Sequence, residues 1–150
     1  MANSIRETAV QAIITAIQGI TPDSGATLLF KEVRRGEQEG VRVQFMPFAS
    51  VEEGEEEVEQ MITSRIDKLL PIIIQFQFAV EKGVDHFERF NYYLAHLQKG
   101  VLSDSTLLAT VINIIEVGNT PEIDVEENTA GGFLILQLKY RHEQIDPFTR

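Results

Sequence analysis

Tyr140-Arg141-His142-Glu143, close to the end of the 150-residue chain, sets a phenol, a guanidinium, an imidazole and a carboxylate in succession. These are the groups of acid–base chemistry. An imidazole moves protons near neutral pH, but it needs a nucleophile, a metal or an oxyanion donor beside it. The chain offers little of that kind. Its three histidines are His86, His96 and His142. His86 and His96 fall on one predicted helix, roughly 280° apart around its axis, so they face different ways. There is no His-Glu-x-x-His pair and no Gly-x-Ser-x-Gly elbow. Gly131-Gly132 precedes a strand and no Gly-Lys-Ser/Thr follows, so a bulge or turn is expected there rather than a phosphate loop. No cysteine occurs, which removes thiol nucleophiles, thiolate zinc sites and disulfides. No catalytic, cofactor-binding or metal residue is assigned, and the chain is not expected to be an enzyme.

The charged segments suggest contact instead. Val51 to Glu59 holds six glutamates in nine positions: Glu52, Glu53, Glu55, Glu56, Glu57 and Glu59. The run lacks the spacing of an EF-hand loop. A solvated loop or helix start is expected, or a loop that orders when a basic partner docks. Basic residues concentrate only at Arg34-Arg35 and at Lys139 to His142. Both groups sit at predicted strand ends and are too short for a nucleic-acid patch. An acidic loop with separate basic strand ends suits head-to-tail contact between copies, the geometry that closes rings. Arg34, Arg35, Glu52, Glu53, Glu55, Glu56 and Glu57 are therefore candidate contact residues, with Lys139, Arg141 and His142 at the other end.

The elements that position these groups follow from patterning. A length of 150 residues, 43% hydrophobic and 24% charged, fits one domain with one core. A net charge of −10 repels nucleic acid and anionic membranes. Val10 to Ile17 is too short and interrupted for a signal peptide, and no stretch nears the ~20 apolar residues that span a bilayer. A soluble intracellular protein with nothing excised is expected.

Ser4-Ile5-Arg6-Glu7 reads as a capping box. Behind it Ile5, Ala9, Ala12, Ile13, Ala16, Ile17 and Ile20 share one helical stripe. Thr27 to Arg34 and Val41 to Phe48 read as a strand pair with one buried face, ending near Pro47. Val58, Met61, Ile62, Arg65, Ile66 and Leu69 are compatible with a short helix. Ile72 to Val80 is the strongest strand and is expected at the centre of the sheet. Asp85 caps a second helix whose stripe is Phe87, Phe90, Leu94, Leu97 and Val101. Ser103-Asp104-Ser105 caps one more turn. Val111 to Val117 is a strand, Gly118 to Pro121 turns it, Glu122 to Asn128 is a loop or extended edge, and Phe133 to Arg141 is the last strand. The expected fold is an α+β two-layer sandwich: a mixed, mainly antiparallel sheet of about five strands with two main helices on one face.

Laid out in this order, the chain resembles the tail terminator proteins of long-tailed bacteriophages, the minor tail protein U type of lambda-like phages. Three stretches carry the resemblance. They are the capped N-terminal helix leading into strands, the segment Val101-Leu102-Ser103-Asp104-Ser105-Thr106-Leu107-Leu108, and the closing Gly131-Gly132, apolar strand, Tyr140-Arg141 and Asp146-Pro147-Phe148. The acidic insert at 51–59 has no counterpart in the family pattern. The resemblance implies a non-enzymatic assembly role. Such proteins form a hexameric ring that caps the tail tube, stops its growth and offers a surface to head-completion proteins. It implies a homo-oligomer, the tail tube protein and a head-completion protein as partners. It implies the host cytoplasm and then the head-proximal end of the virion tail as locations. Six copies would carry about −60, so DNA could pass the lumen without sticking. Asp146, Pro147 and Phe148 become a candidate contact with a neighbouring subunit or tail protein. The alternatives are another head–tail joining or tail-completion protein, and a small α+β enzyme or ligand-binding domain with its site on the open sheet face.

Overall fold

A computed structural model describes residues 2–22, 27–124 and 128–150. Ser4 caps helix α1 (Ile5–Gln18) by accepting from the Glu7 amide at 3.1 Å. Ile5, Ala9, Ala12, Ile13 and Ile17 are buried along its stripe, and Val10 joins them. The expected stop at Thr21 to Gly25 falls partly on 23–26, outside the described residues. The strands are β1 (Glu32–Arg35), β2 (Phe48–Glu53), β3 (Glu57–Ile62), β4 (Arg65–Ala79), β5 (Asn113–Asp124) and β6 (Thr129–Glu143). Helices α2 (His86–Leu102) and α3 (Ser105–Thr110) lie between β4 and β5 in the chain. The sheet runs β1-β2-β4-β6-β5, with β3 also on β4. Only β1/β2 is a parallel pair among the described strands. The architecture is a mixed sheet of six strands with the helices against one face, an α+β fold.

β4 and β6 pair along their whole lengths, from Arg65 opposite Glu143 to Ala79 opposite Thr129. Their alternation divides the two faces. Leu70, Ile72, Ile74 and Phe76, with Leu134, Leu136 and Leu138, point under the helices and are fully buried. Phe90 and Tyr93 of α2 stack on Phe76 and Phe78, with ring centroids 5.4 and 4.9 Å apart. Asp85 and Asp104 cap α2 and α3 as expected. Phe87, expected in the buried stripe, is exposed; coverage of the sheet begins with Phe90, and Tyr93 fills the remaining place.

Gly131-Gly132 is not a bulge or turn. Both residues sit in unbroken register, Gly132 opposite Phe76 and Gly131 opposite Gln77. A Cβ on Gly132 would lie 2.2 Å from the Thr120 carbonyl and 2.5 Å from the Phe90 ring. The glycine exists so that an aromatic ring can rest on the strand backbone.

Three expected elements differ. The hairpin over 27–34 and 41–48 is absent: β1 and β2 are parallel, Glu32 opposite Phe48, and Val43–Phe45 is a 3-10 turn. Parallel strands need a connection of about a dozen residues, which 36–47 provides. The acidic segment is mainly strand, and only Gly54-Glu55-Glu56 is a loop, joining β2 to β3. Glu52 and Glu53 end β2, and β3 forms a hairpin with β4 across Thr63-Ser64. Pro71 in β4 lies at the seam between β2 and β3, where its carbonyl accepts from Gly54 N at 2.8 Å. Its missing donor therefore falls where no strand asks for one. Finally, Gly118 to Pro121 does not turn. β5 continues through a bulge between Glu116 and Gly118, and Pro121 is tolerated because β5 is an edge strand. Of the expected loop or edge at 122–128, residues 122–124 complete β5 and 125–127 lie outside the described residues.

Candidate functional site

The charged residues singled out in the sequence lie in three places, and most are engaged within the chain. The first is beneath the N-terminus of α1. Arg6 reaches Glu53 and Glu56, each at 3.0 Å. Arg35 on β1 donates to both Glu7 oxygens at 2.7 and 2.9 Å and to Glu53 at 2.8 Å. Lys68 on β4 approaches Glu56 at 3.2 Å, and the Tyr140 hydroxyl on β6 donates to the same carboxylate. Glu7 was expected to reach back to Ser4; its carboxylate takes Arg35 and Gln11 instead.

The electrostatics follow from these contacts. Hydrogen bonds from Arg35 and then Gln11 hold the Glu7 carboxyl down at about 2. At Glu53 burial pushes upward as the largest single influence, but Arg35 and Arg6 together prevail and the carboxyl is lowered. Glu56 behaves likewise, with burial outweighed by Tyr140, Lys68 and Arg6. Burial, reinforced by Glu56, raises the Tyr140 phenol. The cluster ties one helix to four strands and the turn at Glu56.

The second place is the helix-free face of the sheet. Arg34 pairs with Glu32 at 2.6 Å and lies over Phe45 and Phe48, 5.3 and 5.8 Å from their ring centres. Lys139 pairs with Glu59 at 2.7 Å, and Arg141 takes both oxygens of Asp67 at 2.6 and 2.9 Å. The Arg141 pairing lowers the Asp67 carboxyl. Glu52, Glu55 and Glu57 form no ion pair among the described residues.

The third place is the C-terminal tail. Arg141-His142-Glu143 forms the end of the last strand, with His142 buried and Arg141 and Glu143 half-exposed. β4 pairs with β6 as far as Glu143, and the tail folds over the end. His142 is 5% exposed, with Nδ1 2.5 Å from the Glu143 carbonyl. The Asp146 carboxylate accepts from Phe148 N and the Thr149 hydroxyl at 3.0 and 2.7 Å. The Pro147 carbonyl accepts from Ile5 N at 3.1 Å. Ile145 and Phe148 are thereby held outward in solvent.

The histidines do not converge: His86 and His96 lie on α2, His142 on β6. Among the described residues no group of three or more His, Asp or Glu side chains could hold a metal ion. Among them, too, no helix is long and apolar enough to cross a membrane. The residues that sequence reasoning missed are Arg6, Lys68 and Tyr140, partners of the acidic segment, and Asp67, the partner of Arg141. No local signal pairs them, because each partner is distant in the chain.

Between these clusters the two central strands present uncharged side chains on the helix-free face, with Glu52 of β2 beside Ile73 at the border. Ile73, Gln75 and Gln77 on β4 stand beside Ile135, Phe133 and Gly131 on β6.

No family model matches this chain, and no characterised protein matches it in sequence.

Proposed function

We propose that this protein is an assembly component that forms a ring on a phage tail tube, ends tube growth and presents the head-joining surface. The order of elements and the three stretches that resemble tail terminators suggest it. The observation that carries it furthest is the uncharged centre of the helix-free face. In a chain with net charge −10, Ile73, Gln75, Phe133, Ile135 and Gln137 of the two central strands are half-exposed and uncharged, with Glu52 only at their β2 border. Depletion of charge at the centre of a surface is the composition of a protein–protein contact. Partners on this reading are further copies, the tube protein and a head-completion protein.

Deletion of the gene from its phage is the test. Abnormally long tails support termination. Tails of normal length that fail to join heads would overturn it and point to a head–tail joining protein, the nearest alternative. Normal phage would sink both.

A further inference from the structure

We propose that copies of this chain join edge to edge, with β3 of one copy against the first half of β5 of the next. The inference rests on the assembly role above and names the surface that role would use.

Among the described strands, β3 pairs only with β4 and β5 only with β6, so each has one unpaired edge. These edges lie on opposite sides of the central β4/β6 pair. Unpaired edges are templates for another strand, and proteins that must stay single blunt them. Here all six residues of β3 are exposed, and Val58, Met61 and Ile62 are each more than half exposed. β3 carries one blunting device, a bulge between Val58 and Gln60. On β5 the blunting devices are the bulge at Glu116/Gly118 and Pro121. Both lie beyond Asn113–Glu116, where Ile115 stands in solvent.

Register places Glu57 and Asn113 at one height: Glu57 is opposite Leu69, Leu69 opposite Lys139, and Lys139 opposite Asn113. From there β3 runs at the level of Lys139 to Glu143 and the first half of β5 at the level of Lys139 to Leu136, so successive sheets meet with a stagger along the strands, as tilted strands do in a closed ring. Charge does not forbid it, although both strands are acidic. Glu59 is paired with Lys139, and the Glu116 carboxylate accepts from Gln98 and Asn119 at 2.9 and 3.1 Å. The remaining open edge, β1, is Glu-Val-Arg-Arg and exposes no large apolar side chain. Because β3 and β5 differ, each copy both gives and receives an edge. Such a contact closes into a ring or continues as a filament.

The chain contains no cysteine, which makes the contact directly testable. Variants would carry one cysteine on β3, Glu57→Cys or Ile62→Cys, and one on β5, Asn113→Cys or Ile115→Cys. By register all four positions face the helix-free side. With a short bis-maleimide, at least one double variant is expected to give a ladder of covalent oligomers, and each single variant to stay monomeric on a denaturing gel. A ladder or dimer from a single variant overturns the inference, because like edges would then be meeting. Rings on electron-microscope grids without any cross-linked ladder overturn it and leave the assembly role standing. A chain that stays monomeric at every concentration also overturns it. Phage lacking the gene but carrying tails of normal length would sink termination whatever the gel shows.

Discussion

Arg141 grips Asp67 across the β4/β6 ladder, Nε to Oδ1 at 2.6 Å and Nη2 to Oδ2 at 2.9 Å. Asp67 is almost fully buried, so its carboxylate depends on this fork. A guanidinium presents two parallel donors and an ammonium does not. Arg141→Ala and Arg141→Lys are both expected to lower the thermal midpoint. Arg65→Ala, which removes a guanidinium without an ion pair among the described residues, is expected to leave it unchanged. Equal melting of Arg141→Ala and wild type would show that the pair adds nothing.

Acid should loosen α1 from the sheet. Glu7 is held at about 2, and Glu53 and Glu56 are also lowered. A carboxyl with a depressed folded value stabilises the fold above its unfolded pKa and loses that contribution as pH falls through the folded one. The window therefore opens near the ordinary glutamate value of about 4.3 and runs down to about 2. Thermal midpoints should fall across it. The fall should be shallower in Arg35→Gln, which removes the main partner of Glu7. Parallel curves for the two proteins would contradict this.

Core substitutions test the central strand pair. Leu136→Ala removes a fully buried side chain and is expected to cost about 2–5 kcal/mol in denaturant unfolding. Gly132→Val drives side-chain atoms into the Thr120 carbonyl and the Phe90 ring and is expected to cost at least ~1–3 kcal/mol. A Gly132→Val protein as stable as wild type would mean that the ring does not rest on the strand.

Salt should have little effect on assembly. The charges first suited to contact between copies are paired inside one copy: Arg35 with Glu53, Arg6 with Glu56, Lys139 with Glu59. Raising the salt to about 1 M shortens the screening length to about 3 Å. Contacts made by apolar edges and main chain survive that. Sedimentation velocity at low and high salt should give the same species. Dissociation in high salt would restore a charge-driven contact.

Much of the fold was legible because local physics decided it. The caps at Ser4, Asp85 and Asp104, the stripe of α1 and the alternation of Leu134 to Tyr140 each follow from residues a few positions apart. The acidic segment was misread for the opposite reason. Val58, Met61 and Ile62 suit a helix or a strand by spacing alone, and β4 as a partner settles the matter. The hairpin over 27–48 failed similarly, since alternation at Val41, Val43 and Phe45 cannot reveal that Phe48 begins a strand parallel to β1. The partners of Tyr140 and Arg141, Glu56 and Asp67, lie far off in the chain and could not be read from their neighbours.

By itself the sequence determined the class of fold, the two main helices, the central strand and the last one, and the lack of thiol chemistry. These depend on periodicity, capping and composition, which are properties of neighbours in the chain. Tertiary structure alone decided that Glu53, Glu56 and Glu59 meet cationic partners, that Gly132 makes room for Phe90, and that β3 and β5 each leave an open edge. Each of these is a contact between residues far apart in sequence, and only the folded chain brings such residues together.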